Sequence, residues 1–142
     1  MKMNNLMELR FEALPENESF ARMVISAFLI QKNPPLNIVS EVRTAVSEAV
    51  TNSIVHAYRE KQGGLVILRA EIREEQLLLE IEDYGCGIAD IERAMQPFYT
   101  SQPEEERTGI GFALMQSFMD SVSVSSVVNG GTCVKMAKRL CL

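Results

Sequence analysis

One stretch of the chain carries apolar or small residues at sustained helical spacing. Glu41 to Tyr58 reads EVRTAVSEAVTNSIVHAY, in which Val42, Val46, Ala49, Val50, Ser53 and Ala57 form one stripe at roughly 100° per residue. Along one border of that stripe Glu48, Asn52 and His56 stand at i, i+4 and i+8. This polar ladder drifts only about 80° around the helix. Asparagine prefers caps and turns, so Asn52 in a helix interior has a local cost. The ladder reads either as the polar rim of a packed face or as a row of functional groups.

The other elements follow from the same kind of pattern. Leu6 to Phe11 alternates and predicts a half-buried strand. A helix starts near Pro15 or Asn17, with acids in its first turn, and runs through Phe20, Val24, Ala27, Phe28 and Gln31 to Asn33-Pro34-Pro35. Asn37 is the expected cap of the second helix, and Gly63-Gly64 its end. Leu65 to Ile72 and Leu77 to Asp83 read as a hairpin across Arg73-Glu74-Glu75-Gln76. A short helical piece is expected near Ile91 to Met95, then a surface loop over Pro97 to Arg107, then a helix over Phe112 to Met119. Val122 to Val128 and Thr132 to Met136 close the chain as a second hairpin around Asn129-Gly130-Gly131. Hairpins dominate the strand connections. The expected fold is therefore α+β, a two-layer sandwich with a mixed, mostly antiparallel sheet and its helices on one face.

Composition narrows the class. A chain of 142 residues with 46% hydrophobic residues suits a single domain spanning residues 1–142. Nineteen acids against fourteen bases give a net charge of −5, and no Lys/Arg run is present. That balance argues against direct nucleic-acid binding and favours protein partners or small ligands. Cys86, Cys133 and Cys141 form no C-x-x-C pair, which fits a reducing compartment better than a disulfide framework or a zinc site. The amino terminus has no secretory pattern, and the longest apolar run, Met23 to Ile30, is too short to cross a membrane. The expectation is a soluble, cytoplasmic protein.

Candidate chemistry rests on two glycine pairs beside the polar ladder. Gly85 and Gly87 follow a strand that ends in Asp83, and Gly109 and Gly111 open a helix. Such spacing lets backbone approach a ligand closely, and a helix start offers N–H groups to an anion. Either pair alone also fits an ordinary turn. A P-loop, a dinucleotide fingerprint and the protein-kinase H-R-D and D-F-G strings are all absent. A serine or cysteine nucleophile would have only His56 as its base.

Taken together, E-x-x-x-N at Glu48 and Asn52, D-x-G-x-G at Asp83, Gly85 and Gly87, and G-x-G at Gly109 and Gly111 resemble the ATP-binding superfamily of gyrase, Hsp90, histidine kinases and MutL. The strings ENESFAR, VSEAVTNSIVHAY and ERTGIGF are similar to the anti-sigma factor kinases of spore-forming bacteria, and the resemblance covers essentially the whole chain. It implies a Bergerat-type ATP-binding fold and a protein-serine kinase using ATP and Mg²⁺. Asp83 would accept a hydrogen bond from the adenine amino group, with Gly85 and Gly87 passing against the base and Thr132 near the pocket. Asn52 would be the magnesium ligand and Glu48 the general base. Residues 97–108 would be the lid, with Arg107 on the phosphates, followed by the backbone N–H groups of Gly109, Ile110 and Gly111. Arg22 matches the family's partner-binding surface, whereas His56 reads as a core-edge histidine.

Gln102 stands where relatives tend to have lysine, Ala89 where proline is usual, and Ala57 where close relatives have glycine. The implied partners are a sigma-F-type sporulation sigma factor, which would be held inactive, and an anti-anti-sigma factor, phosphorylated on serine. A homodimer is implied as well. The alternatives are a stress-response anti-sigma kinase, a non-catalytic nucleotide-gated binding module, and a histidine-kinase catalytic domain cut from a longer protein.

Overall fold

The computed structural model describes residues 4–58, 63–96 and 111–141. In chain order these form β1 (Asn5–Glu12), α1 (Glu16–Ile30), α2 (Leu36–Asn52), β2 (Leu65–Arg73), β3 (Gln76–Asp83), α3 (Ile91–Ala94), α4 (Gly111–Phe118), β4 (Ser121–Val127) and β5 (Gly131–Arg139). The five strands lie in the order β1-β2-β3-β5-β4. Every pairing is antiparallel, so the sheet is not mixed among the described strands. Two of the four pairings, β2–β3 and β4–β5, are tight hairpins, which are antiparallel by necessity, and the longer connections from β1 to β2 and from β3 to β5 also return the chain antiparallel.

Period-two alternation gives the sheet its two faces. Val66, Leu68, Ala70 and Ile72 of β2, Leu77, Leu79 and Ile81 of β3, and Val134 and Met136 of β5 are buried in one core. Ile25 and Leu29 of α1, Val42, Val46 and Val50 of α2, and Met115 of α4 enter the same core. The helices therefore share one face, the arrangement that buries an apolar stripe against an apolar sheet surface. On the opposite face Arg69 reaches Glu8, Glu80 and Glu82 across three neighbouring strands.

Several boundaries differ from the sequence expectation. The cap of α2 is Pro35 rather than Asn37. The Pro35 carbonyl already accepts from the Ile38 and Val39 amides, which leaves Asn37 exposed inside the first turn. The β2–β3 connection is only Glu74-Glu75, because Arg73 and Gln76 pair with each other. Glu74 takes a positive φ of 59°, the strain that lets so short a turn close. The β4–β5 turn likewise places Asn129 at φ 63°, a conformation asparagine tolerates.

The second helix also ends differently. Its α-helical part stops at Asn52 and continues as one π-helical turn, Ser53–Ala57, with Tyr58 as the closing residue. Such a turn widens the helix by one residue and turns the side chains after it. The Tyr58 hydroxyl donates to the Leu65 carbonyl at 2.6 Å and accepts from the Tyr84 amide at 2.7 Å. It thereby joins the end of the helix to the start of β2 and the end of β3. Replacing Tyr58 with Phe removes that shared hydroxyl and is expected to lower stability by about 1–3 kcal/mol. Urea unfolding of the two proteins measures the difference.

Candidate active site

The inward-facing row of the sheet changes character at one end. On β3 the buried positions run Leu77, Leu79, Ile81, Asp83, so the carboxylate occupies a core-facing place. Its register neighbour on β5 is Thr132, and the neighbour of Thr132 on β4 is Ser126. Three adjacent strands thus end in a polar row beneath the π-helical turn of the second helix.

Asp83 is the centre of that row. It is only 4% exposed. Its Oδ1 accepts from the Gly85 amide at 3.0 Å and the Thr132 amide at 3.2 Å, and its Oδ2 accepts from the Ser53 hydroxyl at 2.9 Å. A carboxylate has about four acceptor positions. Three are occupied by donors among the described residues, which leaves capacity on Oδ2 for one further donor. Burial pushes the Asp83 carboxyl above the usual carboxylate range, and the Gly85, Ser53 and Thr132 donors oppose that shift.

Two glycines allow this packing. A methyl on Gly85 would collide with the Ala57 carbonyl of the π-helical turn. Gly87 has φ 75° and a methyl there would strike the Val127 carbonyl. The loop between them is fastened on both sides: the Cys86 amide donates to the Ala57 carbonyl at 2.8 Å, and the Cys86 carbonyl accepts from the Asn129 amide at 2.7 Å. Ser126 extends the network. Its hydroxyl accepts from the Ile88 amide at 2.7 Å, donates to the Gly131 carbonyl at 3.0 Å and lies 2.9 Å from the Thr132 hydroxyl. With its single proton on Gly131, the Thr132 hydroxyl is the donor of that last bond.

The other end of the site is where α4 begins. A methyl placed on Gly111 would stand 3.5 Å from Glu48 Oε2 and from both terminal atoms of the Asn52 carboxamide. The two polar rungs of α2 therefore flank the start of α4, where backbone N–H groups lack helical partners. A carboxylate and a carboxamide oxygen are hard donors, suited to Mg²⁺ shared with phosphate oxygens. Asn52 and Ser53 are consecutive residues. One side chain faces the start of α4 and the next binds Asp83, which links the two ends of the site through a single peptide.

The sequence-derived candidates thus fall into three groups. Glu48, Asn52, Asp83, Gly85, Gly87, Gly111 and Thr132 surround one region. Arg107, Gly109, Ile110 and the lid over residues 97–108 lie outside the described residues. Arg22 sits on α1, 3.7 Å from Glu18, whose carboxylate accepts from the Ser47 hydroxyl at 2.7 Å. Ser53, Tyr58 and Ser126 were not among the candidates. Ser53 counted as a small residue of the apolar stripe and Ser126 as part of a strand, and only the Asp83 period-two position hinted at buried polar partners.

Residues 11–138 match the family described as histidine kinase-like ATPase domain. The chain is 49% identical over 138 residues to the anti-sigma F factor of Caldanaerobacter subterraneus, covering 97% of this chain and 96% of that one. It is 46% identical to the anti-sigma F factor of Anoxybacillus flavithermus, covering 97% and 94%. Among solved structures, the RsbU and RsbW domains of a Mycobacterium tuberculosis protein share the fold with a TM-score of 0.70 and 16% identity, over 96% of this chain and 32% of that one. The catalytic domain of histidine kinase ThkA does so at 0.61 and 12%, over 96% and 97%. Among the described residues no helix is long and apolar enough to cross a membrane.

Asp83→Asn separates the fold from the ligand. The amide oxygen still accepts from Gly85 and Thr132, and the amide nitrogen donates to Ser53, so stability should change by less than about 1 kcal/mol. The free position becomes a donor, and ATP affinity should fall by about 10- to 100-fold in nucleotide titrations. The pH dependence has opposite signs for fold and ligand. Because the Asp83 carboxyl is raised in the folded state, its contribution to stability is greater in acid and falls as pH rises through the folded value. If Asp83 is the acceptor for a nucleotide base, affinity should change the other way, weakening as acid protonates it, and Asp83→Asn should abolish that acid limb.

Proposed function

Because the chain belongs to the histidine kinase-like ATPase domain family, and within it to the group of the anti-sigma F factors, we propose that it is an anti-sigma factor with protein-serine kinase activity. It binds a sigma-F-type sporulation sigma factor and holds it inactive. It also transfers the γ-phosphoryl group of ATP to a serine of an anti-anti-sigma factor. The observation that carries the kinase reading is Glu48 beside Asn52 at the start of α4, with the Asp83 acceptor one peptide away through Ser53.

In this reading Asp83 accepts from the adenine amino group, and Gly85 and Gly87 keep the loop clear of the base. Asn52, together with the phosphates, would hold Mg²⁺, which would neutralise charge on the phosphate oxygens. The amide of Gly111, with Gly109 and Ile110 before it, binds the phosphates, and Arg107 of the lid adds positive charge. Glu48 takes the proton from the partner's serine hydroxyl as the new serine O–P bond forms. The bond from the γ-phosphorus to the bridging oxygen breaks, and ADP leaves. Binding alone needs no base at that position, so Glu48 favours a catalytic over a purely sequestering role.

Arg22, half-buried on α1, belongs to the partner surface of this reading, and the active assembly is a homodimer in the cytoplasm. The experiment is phosphate transfer from labelled ATP to a purified anti-anti-sigma factor. Glu48→Gln should lower the transfer rate by about a hundredfold or more while leaving ATP affinity near that of the parent. An unchanged rate sinks the general-base role. Label that never reaches a serine, with ATP and sigma factor still bound, sinks the kinase.

A further inference from the structure

α4 is held against α2 at both ends. At its start Gly111 lies beside Glu48 and Asn52. At its far end the Lys138 ammonium donates to the carbonyl of Phe118, the last residue of the helix. The same ammonium pairs at 3.2 Å with the Glu41 carboxylate on α2. Glu41 precedes Glu48 by the same interval that separates Gly111 from Phe118, seven residues in each case. Seven residues span about 10.5 Å and return to within about 20° of the same helix face. The two helices therefore run antiparallel over a matched length, with Glu48 at one end of the overlap and Glu41 at the other.

Lys138 is well suited to hold that far end. Its side chain is only 11% exposed, so its charge rests on the two acceptors rather than on water. The Phe118 carbonyl is one that the helix cannot satisfy internally, and a cation at a helix C-terminus also complements the dipole. Asp120 adds a second attachment just beyond the helix. Its amide donates to the Ala137 carbonyl at 2.9 Å, and its carboxylate accepts from the Arg139 amide at 2.7 Å. The end of α4 is thus fastened to the last residues of strand β5.

We infer that Lys138 is a positioning residue for the phosphate end of the site: it sets the axial register of α4 on α2, and with it the approach of Gly111 to Glu48 and Asn52. This inference rests on the ATP reading given above. The adenine end is independent of it, because Asp83 takes its partners from Ser53, Gly85 and Thr132, none of which lies on α4. Loss of Lys138 should therefore weaken binding of the triphosphate and spare binding of the base.

The test is to titrate ATP and adenosine separately into the parent protein, Lys138→Met, Lys138→Arg and Glu41→Gln, using ligand-observed NMR. Lys138→Met should weaken ATP about tenfold with adenosine unchanged, and Lys138→Arg should restore most of the loss. If circular dichroism shows that Lys138→Met does not fold, Glu41→Gln, which leaves the bond to Phe118, gives the same comparison with a loss of about threefold. Equal losses for ATP and adenosine, or none for ATP, overturn the role of Lys138. A parent protein that binds neither ligand overturns the nucleotide reading itself.

Discussion

The buried carboxylate of Asp83 is the constraint on which the site depends. A charge placed at the end of an apolar sheet row is costly unless its acceptor positions are filled. Three donors come from three different segments: Ser53 from the π-helical turn, Gly85 from the loop after β3, and Thr132 from β5. Each must be held where it is for the charge to be tolerated, so one side chain fixes the relative positions of a helix, a loop and a strand. The position left over is directed by the same partners.

Close backbone approach makes this possible. Gly85 lies against the Ala57 carbonyl, Gly87 against Val127, and Gly131, at φ 109°, against the Asp83 backbone. A side chain at any of them would push one of the three segments away from the carboxylate. Ser126 and Tyr58 complete the arrangement from outside, the first joining Ile88 to the β4–β5 turn and the second joining Leu65 to Tyr84. The loop after β3 therefore gains its order from strand ends and a helix end rather than from a core of its own.

The end of the site at the start of α4 is organised by different means. There the elements are two antiparallel helices, and the groups that matter are a carboxylate and a carboxamide on one helix facing the first residue of the other. The Asp83 side is a hydrogen-bond network anchored in the sheet, while this side is a matter of helix packing. Asn52 and Ser53, adjacent in the chain, connect the two. The change from α- to π-helical geometry falls between them, where the helix must serve both the start of α4 and Asp83.

Much of this was legible in the chain itself. The period of the apolar residues predicted both layers and every strand, because burial on one face demands that period wherever the element lies. The Glu48–Asn52 spacing on a helix, the Asp83 position at the end of a strand and the glycine pairs suggest a site only as a set, and the fold brings Gly111 beside Glu48 and Asn52, and Gly85 onto Asp83. Helix ends and turns were less legible: Pro35 rather than Asn37 caps α2, and two residues rather than four turn the β2–β3 hairpin. Those choices depend on backbone hydrogen bonds with several near-equal local solutions. Ser53, Ser126, Tyr58 and Lys138 were silent in the sequence, since a serine in an apolar stripe or a lysine near a strand end is ordinary locally. Only the tertiary structure gives them partners 30, 38, 26 and 20 residues away. Local pattern determines which faces are buried, and chain-distant hydrogen bonds decide which polar groups the burial requires.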